Sequence, residues 1–240
     1  MSISHHAGNT AGAKVVSPET MYRVIREMGM VPFFENHIPG YSIEECTPPE
    51  FWFDGDSTQL GPWDWKIEVL HSGDIAYGKF LLGGKASFAT VRWYRELVNW
   101  RRSRPEFSPG PDGETILSYV ASHGAVSIRE VRALLGVKKS AADSAVARLM
   151  HQCRLVTGDI VRVYRGEDLH YNGWQTSSFC TPEALFDDDS PLPGPVALLA
   201  GFSPGLDCGH SPEESYNRLF EHIRSICPGA SDKDIIKVLR

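Results

Sequence analysis

Residues 114–165 contain the pattern that most restricts how this chain can fold. A helix predicted over ETILSYVASH ends at a glycine, and Ser127 with Glu130 then forms a capping box that begins a short second helix. A further glycine ends that helix, and Ser140 begins the third. Two β-branched runs follow, joined by a Gly-Asp dipeptide at 158–159 that favours a hairpin turn. Three helices with a tight second turn, followed by a hairpin, predict a winged helix-turn-helix.

The rest of the chain is divided by helix-start signals and by one proline-rich break. The segment SRPEFSPGPDG predicts a domain boundary, because it is rich in proline, glycine and serine. The predicted fold class is α+β, a winged helix-turn-helix domain packed with an N-terminal helix and β-hairpin subdomain and with C-terminal helices. The expected divisions are a flexible arm (1–17), an N-terminal α+β subdomain (18–111), the winged-helix domain (112–188), and a linker with C-terminal helices (189–240).

Cysteine usage and apolar run lengths limit the class of protein. The five cysteines form no CxxC pair, so a disulfide framework or zinc ribbon is not expected, and a reducing cytoplasm is the simplest location. Apolar runs are too short to span a bilayer, so no membrane partner is expected. Cys208 and His210 could supply two metal ligands, but a third would have to come from distant Cys180 or Cys227. We therefore expect no metal and no cofactor.

Charge is distributed unevenly along the sequence. Residues 75–182 hold 15 basic and 9 acidic side chains, a net of +6, whereas the two ends together carry −12. This distribution predicts a positive surface on an acidic protein, and therefore duplex DNA as a partner. The alternative is that both signs mix in space after folding.

The outward face of the third predicted helix is small and rich in alanine, because Ala142, Val146, Leu149 and Cys153 form the inward stripe. That face offers lysines and one arginine for phosphates but no side-chain set for reading base edges. We therefore expect binding to backbone phosphates with little sequence specificity. The candidate nucleic-acid-binding residues are Arg92, Arg95, Arg101, Arg102, Lys138, Lys139, Ser140, Ser144, Arg148, His151, Arg154 and Arg162. A non-enzymatic module that holds a protein partner is the alternative.

Several short strings resemble a known family. GDSTQLGPWDW, AYGK, the arginine pair that closes WYRELVNWRR, and YNGWQTSSFCTPEALF are together similar to small bacterial proteins of the AlkZ-related family, over roughly residues 18–186. The resemblance implies winged helices and a relation to AlkZ-type DNA glycosylases, which remove alkylated or crosslinked bases. Those enzymes use a Gln-x-Gln or Gln-x-Asp element to position water. Gln59, Gln152 and Gln175 begin no such triplet, so no catalytic residue carries over and enzymatic activity stays an open question.

The stretch FWFDGDSTQLGPWDW, residues 51–65, matches neither a strand nor a helix period and is predicted to be a loop. In one interpretation its aromatic residues cover a hydrophobic core and its aspartates form turns. In the other, the loop is a base pocket of a base-excision enzyme, in which aromatic rings stack a flipped base and a carboxylate assists hydrolysis. The candidate stacking residues are Trp52, Trp63 and Trp65, and the candidate catalytic residues are Asp54, Asp56 and Asp64. Structural cover is the interpretation that the residues favour.

Overall fold

The computed structural model describes residues 14–53, 60–186 and 206–240. These ranges form a mixed α/β protein with two three-stranded antiparallel sheets. The elements of the N-terminal part are α1 (Pro18–Met28), β1 (Met30–Pro32), α2 (Ile43–Cys46), α3 (Glu50–Phe53), α4 (Pro62–Leu70), β2 (Ile75–Leu81), β3 (Lys85–Thr90) and α5 (Val91–Arg102). A short 3-10 turn, Pro105–Phe107, follows.

The first sheet has the strand order β1-β3-β2 and includes the predicted hairpin. Its inner surface packs against α1, whose buried side chains, Met21, Val24, Ile25 and Met28, recur with the helical period. A capping box at Ser17 begins α1, because the serine hydroxyl accepts from the backbone of Thr20 while the Thr20 side chain accepts from the cap. The N-terminal helix and hairpin therefore share one core.

The second sheet belongs to a run of four helices and three strands. Its elements are α6 (Pro111–His123), β4 (Val126–Ser127), α7 (Ile128–Leu135), α8 (Lys139–His151), β5 (Val156–Arg165), β6 (His170–Cys180) and α9 (Pro182–Phe186), with strand order β4-β6-β5. The predicted capping box begins α7, since the Ser127 amide donates to the Glu130 carboxylate at 2.7 Å. Ala142, Val146 and Leu149 of α8 are buried, as the sequence predicts.

The predicted turn at 158–159 is wrong. Val156–Arg165 is one strand with an irregularity next to Gly158, and the chain reverses at 166–169 instead. A Cβ at Gly158 would lie 2.9 Å from the sulfur of Cys180, so this glycine permits close approach of two strands and forms no turn. The loop predicted for 51–65 is also partly wrong, because α3 and the first turn of α4 lie in it.

The C-terminal helices are α10 (Pro212–Ile226) and α11 (Asp232–Leu239). Helix α10 packs on α5, and Leu219 and Ile223 contribute to the core of the first sheet. Ser231 caps the start of α11. The end of this helix contacts the β2–β3 turn, where the amides of Leu82 and Gly83 donate to the carbonyls of Val238 and Arg240. Among the helices of the described ranges, none is both long and apolar enough to cross a membrane.

Candidate functional site

Helix α4 places polar side chains in the junction between the two sheets. Pro62 occupies its first turn, where the missing N–H of proline leaves no bond unmade. Ile67 and Leu70 pack against Ile160 of β5 and so hold the helix against the β5–β6 hairpin. Because most of α4 is apolar and buried, its two inward polar residues, Asp64 and Lys66, must find partners inside the protein.

Asp64 is 8% exposed and receives three hydrogen bonds from the hairpin, all on Oδ1. The Tyr171 hydroxyl donates at 2.5 Å, the Arg162 Nε at 3.3 Å and the Gln175 side-chain amide at 3.2 Å. Charge-assisted bonds of this kind are stronger than neutral ones. Asp64 thus holds both strands of the hairpin against α4.

Lys66 is 2% exposed, and its ammonium donates to Gln175 Oε1 at 2.5 Å and to the backbone carbonyl of Trp63. The same ammonium lies 3.5 Å from the centre of the Trp63 ring, which adds a cation–π contact. Burial lowers the pKa of Lys66 to about 7; the charge of Asp64 opposes this shift and that of Arg162 adds to it. We call Asp64, Lys66, Arg162, Tyr171 and Gln175 the Asp64 cluster.

The candidate aromatic residues lie in different environments. Trp65 is buried in the core, and Trp52 packs edge-on against Phe33, as cover for that core. Trp63 is 45% exposed and therefore has a ring that a ligand could reach beside the Asp64 cluster. Asp54 and Asp56 lie outside the described residues. The structure thus brings together Trp63, Asp64 and Arg162 from the predicted sites.

The exposed side of α8 carries a second group of candidates. Exposed side chains on or next to its first turns and its outer side are those of Lys138, Lys139, Ser140, Ser144 and Arg148, which we call the α8 face. Lys139 forms an exposed ion pair with Asp143 at 2.7 Å, and the Ser144 hydroxyl donates to the carbonyl of Ser140 at 2.8 Å. Exposed pairs of this kind are weak, so the Lys139 ammonium stays available to other anions.

The remaining candidates are divided between surface and interior. Arg92 is exposed, Arg95 and Arg154 are half-buried, and the His151 Nε2 lies 2.7 Å from the carbonyl oxygen of Arg240. The pKa of His151 is lowered, first by burial and then by the nearby charge of Arg101. His151 is therefore neutral near pH 7 and adds no positive charge to the α8 face.

Arg101 and Arg102 do not fit the predicted role of phosphate contacts. Arg101 is fully buried, and its guanidinium donates at 2.6 Å each to the carbonyls of His151 and Leu239. Arg102 is paired with the Glu183 carboxylate, and it donates to the carbonyl of Cys153. Arg101 thus joins α5 to the end of α8 and to α11, and Arg102 joins α5 to α9.

Sequence reasoning missed Lys66, Tyr171 and Gln175. The bonds between Lys66 and Gln175 and between Tyr171 and Asp64 each join residues more than 100 positions apart, so no local period connects them. A usable signal was present in the string WDWK, where an aspartate and a lysine flank a large apolar residue inside an otherwise apolar segment. Chemically, the cluster offers a carboxylate and a low-pKa amine beside an accessible indole ring.

The fold defines a mixed α/β protein. Its exposed, basic α8 face lies in the same unit as a long β-hairpin, which is braced by the buried carboxylate of Asp64 and the buried amine of Lys66. The sequence model described as AlkZ related matches residues 15–240, and the chain therefore belongs to the AlkZ-related family. This membership relates it to AlkZ-type DNA repair proteins. No curated protein and no solved structure matches the chain.

Proposed function

We propose that this protein binds duplex DNA, mainly through backbone phosphates, with residues 112–186 acting as a winged helix-turn-helix. One observation carries the proposal. The elements α6, β4, α7, α8, β5 and β6 follow one another with sheet order β4-β6-β5, and the third helix of this unit has an exposed basic face. In winged helices the third helix enters the major groove and the hairpin touches the backbone.

The composition of the α8 face favours recognition of charge and shape. Lys138 and Arg148 are exposed cations, and serine hydroxyls next to them can donate to phosphate oxygens. Several of the neighbouring positions are alanines, and this face has no Asn or Gln and only one arginine for reading base edges. The expected binding is therefore strongly dependent on salt and only weakly dependent on sequence.

The β5–β6 hairpin supplies the second contact in this proposal. Beyond the Asp64 cluster it exposes Tyr164, Trp174 and Leu169, and the Arg165 guanidinium lies 5.4 Å from the centre of the Trp174 ring. An arginine over an aromatic ring presents a cation on a flat apolar surface, which suits a phosphate backbone beside stacked sugars and bases. The Asp64 cluster holds this hairpin against α4.

The five cysteines are unpaired thiols, which supports a cytoplasmic location.

Fluorescence anisotropy of a labelled duplex, measured across a salt series, tests the proposal. Removing one side chain that neutralises a phosphate should reduce the slope of log K against log salt by about 0.9. We expect that reduction for Lys138→Ala and for Arg148→Ala. The control is Lys233→Ala, which removes an exposed lysine from α11 and should leave the slope unchanged.

Two outcomes would overturn DNA binding. The first is no association with duplex even at low salt, which would favour the alternative of a module that holds a protein partner. The second is an equal effect of all three substitutions, which would show that binding follows net charge and involves no defined face.

Base excision is the second candidate function, and one juxtaposition favours it. The accessible Trp63 ring adjoins a carboxylate and an amine whose pKa is about 7. In this alternative, Trp63 stacks an extruded base, and Asp64 stabilises positive charge that develops on the sugar. Release of free base from alkylated duplex, lost in Asp64→Asn and kept in Asp143→Asn, is the expected result. Absence of base release from the unsubstituted protein would remove this candidate and leave the first intact.

A further inference from the structure

We propose that Glu96, Cys208 and His210 bind a zinc ion, with solvent in the fourth position. One donor atom from each of the three side chains lies within 4.8 Å of the other two. Glu96 is buried on α5, and the other two residues lie in the segment that precedes α10. The two ligands visible in the sequence thus gain a third from the opposite helix, and neither Cys180 nor Cys227 is needed.

The spacing of the donor atoms is close to that of a tetrahedral site. Zinc bonds of about 2.0 Å to nitrogen and oxygen and about 2.3 Å to sulfur separate neighbouring donors by about 3.3 to 3.7 Å. The His210 Nδ1 lies 3.0 Å and 3.2 Å from the two carboxylate oxygens of Glu96. These two ligands need to separate by a few tenths of an ångström, and the half-buried sulfur of Cys208 has to approach them.

Neighbouring polar groups already hold the ligands in orientation. The Ser215 hydroxyl donates to Glu96 Oε2 at 2.7 Å, and the Arg218 Nε donates to Oε1 at 2.8 Å. The Asn99 amide donates to the backbone carbonyl of His210 at 2.8 Å and to the Ser215 hydroxyl at 2.9 Å. Hydrogen bonds of this kind to ligating residues are a regular feature of protein metal sites, where they fix ligand geometry.

The ligand set favours zinc over other divalent ions. A thiolate, an imidazole and a carboxylate form a mixed soft and borderline set, whereas magnesium and calcium prefer oxygen ligands alone. Binding releases the thiol proton of Cys208, so two negative ligands balance the charge of the ion. Three protein ligands with one open position is the arrangement of exchangeable and catalytic zinc sites.

A metal-free ion-pair network is the alternative, and Cys208 distinguishes the two. In that alternative His210 and Arg218 satisfy Glu96 directly, and within the described ranges the Cys208 sulfur has only a long contact of 3.5 Å with the Ser215 hydroxyl. Removing the thiol should then change little. With zinc bound, the same thiol is a direct ligand that ties the start of α10 to α5.

The experiment uses the full chain, stripped with a chelator and then dialysed against zinc. We expect one zinc per chain, a thermal midpoint that rises with zinc, and, with cobalt in its place, a thiolate charge-transfer band. Cys208→Ser and His210→Gln should each weaken zinc binding at least tenfold, because each removes a direct ligand. Cys227→Ser removes a half-buried cysteine outside the group and should bind zinc normally.

Unfolding midpoints without zinc show whether the variants fold. Cys208→Ser should match the unsubstituted protein in the absence of metal, since among the described residues its thiol makes a hydrogen-bond contact with Ser215 alone. The proposal is overturned if the unsubstituted chain retains no zinc at equimolar concentration. It is equally overturned if Cys208→Ser binds zinc as tightly as the unsubstituted chain, because the ion then lies elsewhere.

Discussion

The ammonium of Lys66 donates a hydrogen bond to the side-chain oxygen of Gln175, 2.5 Å away and 109 positions later in the chain. This bond joins α4 to the β5–β6 hairpin at a point that solvent hardly reaches. The proposed DNA contacts of the hairpin depend on this junction, because a two-stranded ribbon has little stability of its own.

Lys66→Met should remove a specific pH dependence of stability. The folded pKa of Lys66 is about 7, well below the ordinary value of 10.5. Between these values the unfolded chain keeps a proton that the folded chain has released, so stability rises with pH. We expect the difference in unfolding free energy between the unsubstituted protein and Lys66→Met to change by about 2 to 3 kcal/mol from about pH 6.5 to about pH 9.

Urea unfolding at the two pH values measures that difference in unfolding free energy, and the sign of its change with pH follows from the lowered pKa. The unsubstituted protein should gain stability relative to Lys66→Met as the pH rises. Lys79→Met, which removes an exposed lysine from β2, is the control and should follow the unsubstituted protein. Parallel pH curves for the unsubstituted protein and Lys66→Met would contradict the buried, low-pKa ammonium.

Asp64→Asn should loosen the hairpin. The substitution removes the charge that holds Arg162 and replaces an acceptor of the Tyr171 hydroxyl by a weaker one. We expect a decrease of about 1 to 3 kcal/mol in unfolding free energy, since the pair is only partly shielded from water. Hydrogen exchange should accelerate in β5 and β6 before it does so elsewhere.

A surface substitution provides the comparison for Asp64. Asp143→Asn breaks the exposed pair with Lys139 and should cost less than about 0.5 kcal/mol. If both substitutions cost the same, the cluster contributes no more than an ordinary surface pair, and the hairpin must be held by apolar contacts alone.

Local sequence signals predict α6, α7 and α8 but not α4. Stripes such as Met21, Val24, Ile25 and Met28 recur with the helical period because one side of α1 meets the core and the other meets water. Helix α4 is buried on nearly all sides, so its sequence has no polar side and no period to detect. The Gly-Asp dipeptide at 158–159 wrongly predicted a turn for a different reason. Position 158 needs glycine because a Cβ there would collide with the sulfur of Cys180 on the neighbouring strand.

The helical period of α5 predicts that Arg101 is buried. It follows Leu97 by four residues and Tyr94 by seven, so the spacing places it on the buried side of α5. The charge of Arg101 suggested a position at the surface, but its spacing from Leu97 and Tyr94 correctly predicts that it is buried. By contrast, no spacing could pair Lys66 with Gln175, or Glu96 with His210, because these pairs form only when distant elements pack together.

Arg101→Met should destabilise the protein without changing a phosphate contact. The substitution removes the guanidinium bonds to the buried carbonyl of Leu239 and to the partly buried carbonyl of His151. We expect a decrease of about 2 to 4 kcal/mol in unfolding free energy. The folded variant should keep the salt slope of DNA binding, because Arg101 has no exposed surface.

Arg92→Met is the matched substitution on the same helix. Arg92 is exposed and is one of the residues that the sequence predicts to contact DNA, so its removal should cost little stability and should lower the salt slope. A reversed result, in which Arg101→Met lowers the salt slope and Arg92→Met does not, would show that α5 turns its other side to the ligand.

Gly29→Ala should be among the more damaging single-methyl changes in the chain. Gly29 has φ of 69°, where an L side chain is strained, and a Cβ there would lie 2.5 Å from the Trp93 ring and 2.6 Å from the His222 Nε2. Those two rings are stacked with centroids 3.7 Å apart, and His222 is also bonded to the carbonyl of Met28, so neither ring can move away easily. We expect a decrease of about 2 to 4 kcal/mol in unfolding free energy, measured in urea.

Gly40→Ala separates backbone strain from steric conflict. Gly40 has a similar φ of 75°, but apart from its chain neighbours no heavy atom of the described residues lies within 4 Å of the Cβ position. Only the strain remains there, at about 1 kcal/mol. The excess cost at Gly29 therefore measures how firmly the Trp93–His222 stack is held between α5 and α10. Equal costs at the two glycines would mean that the stack yields to an added methyl group and does not fix the position of α10.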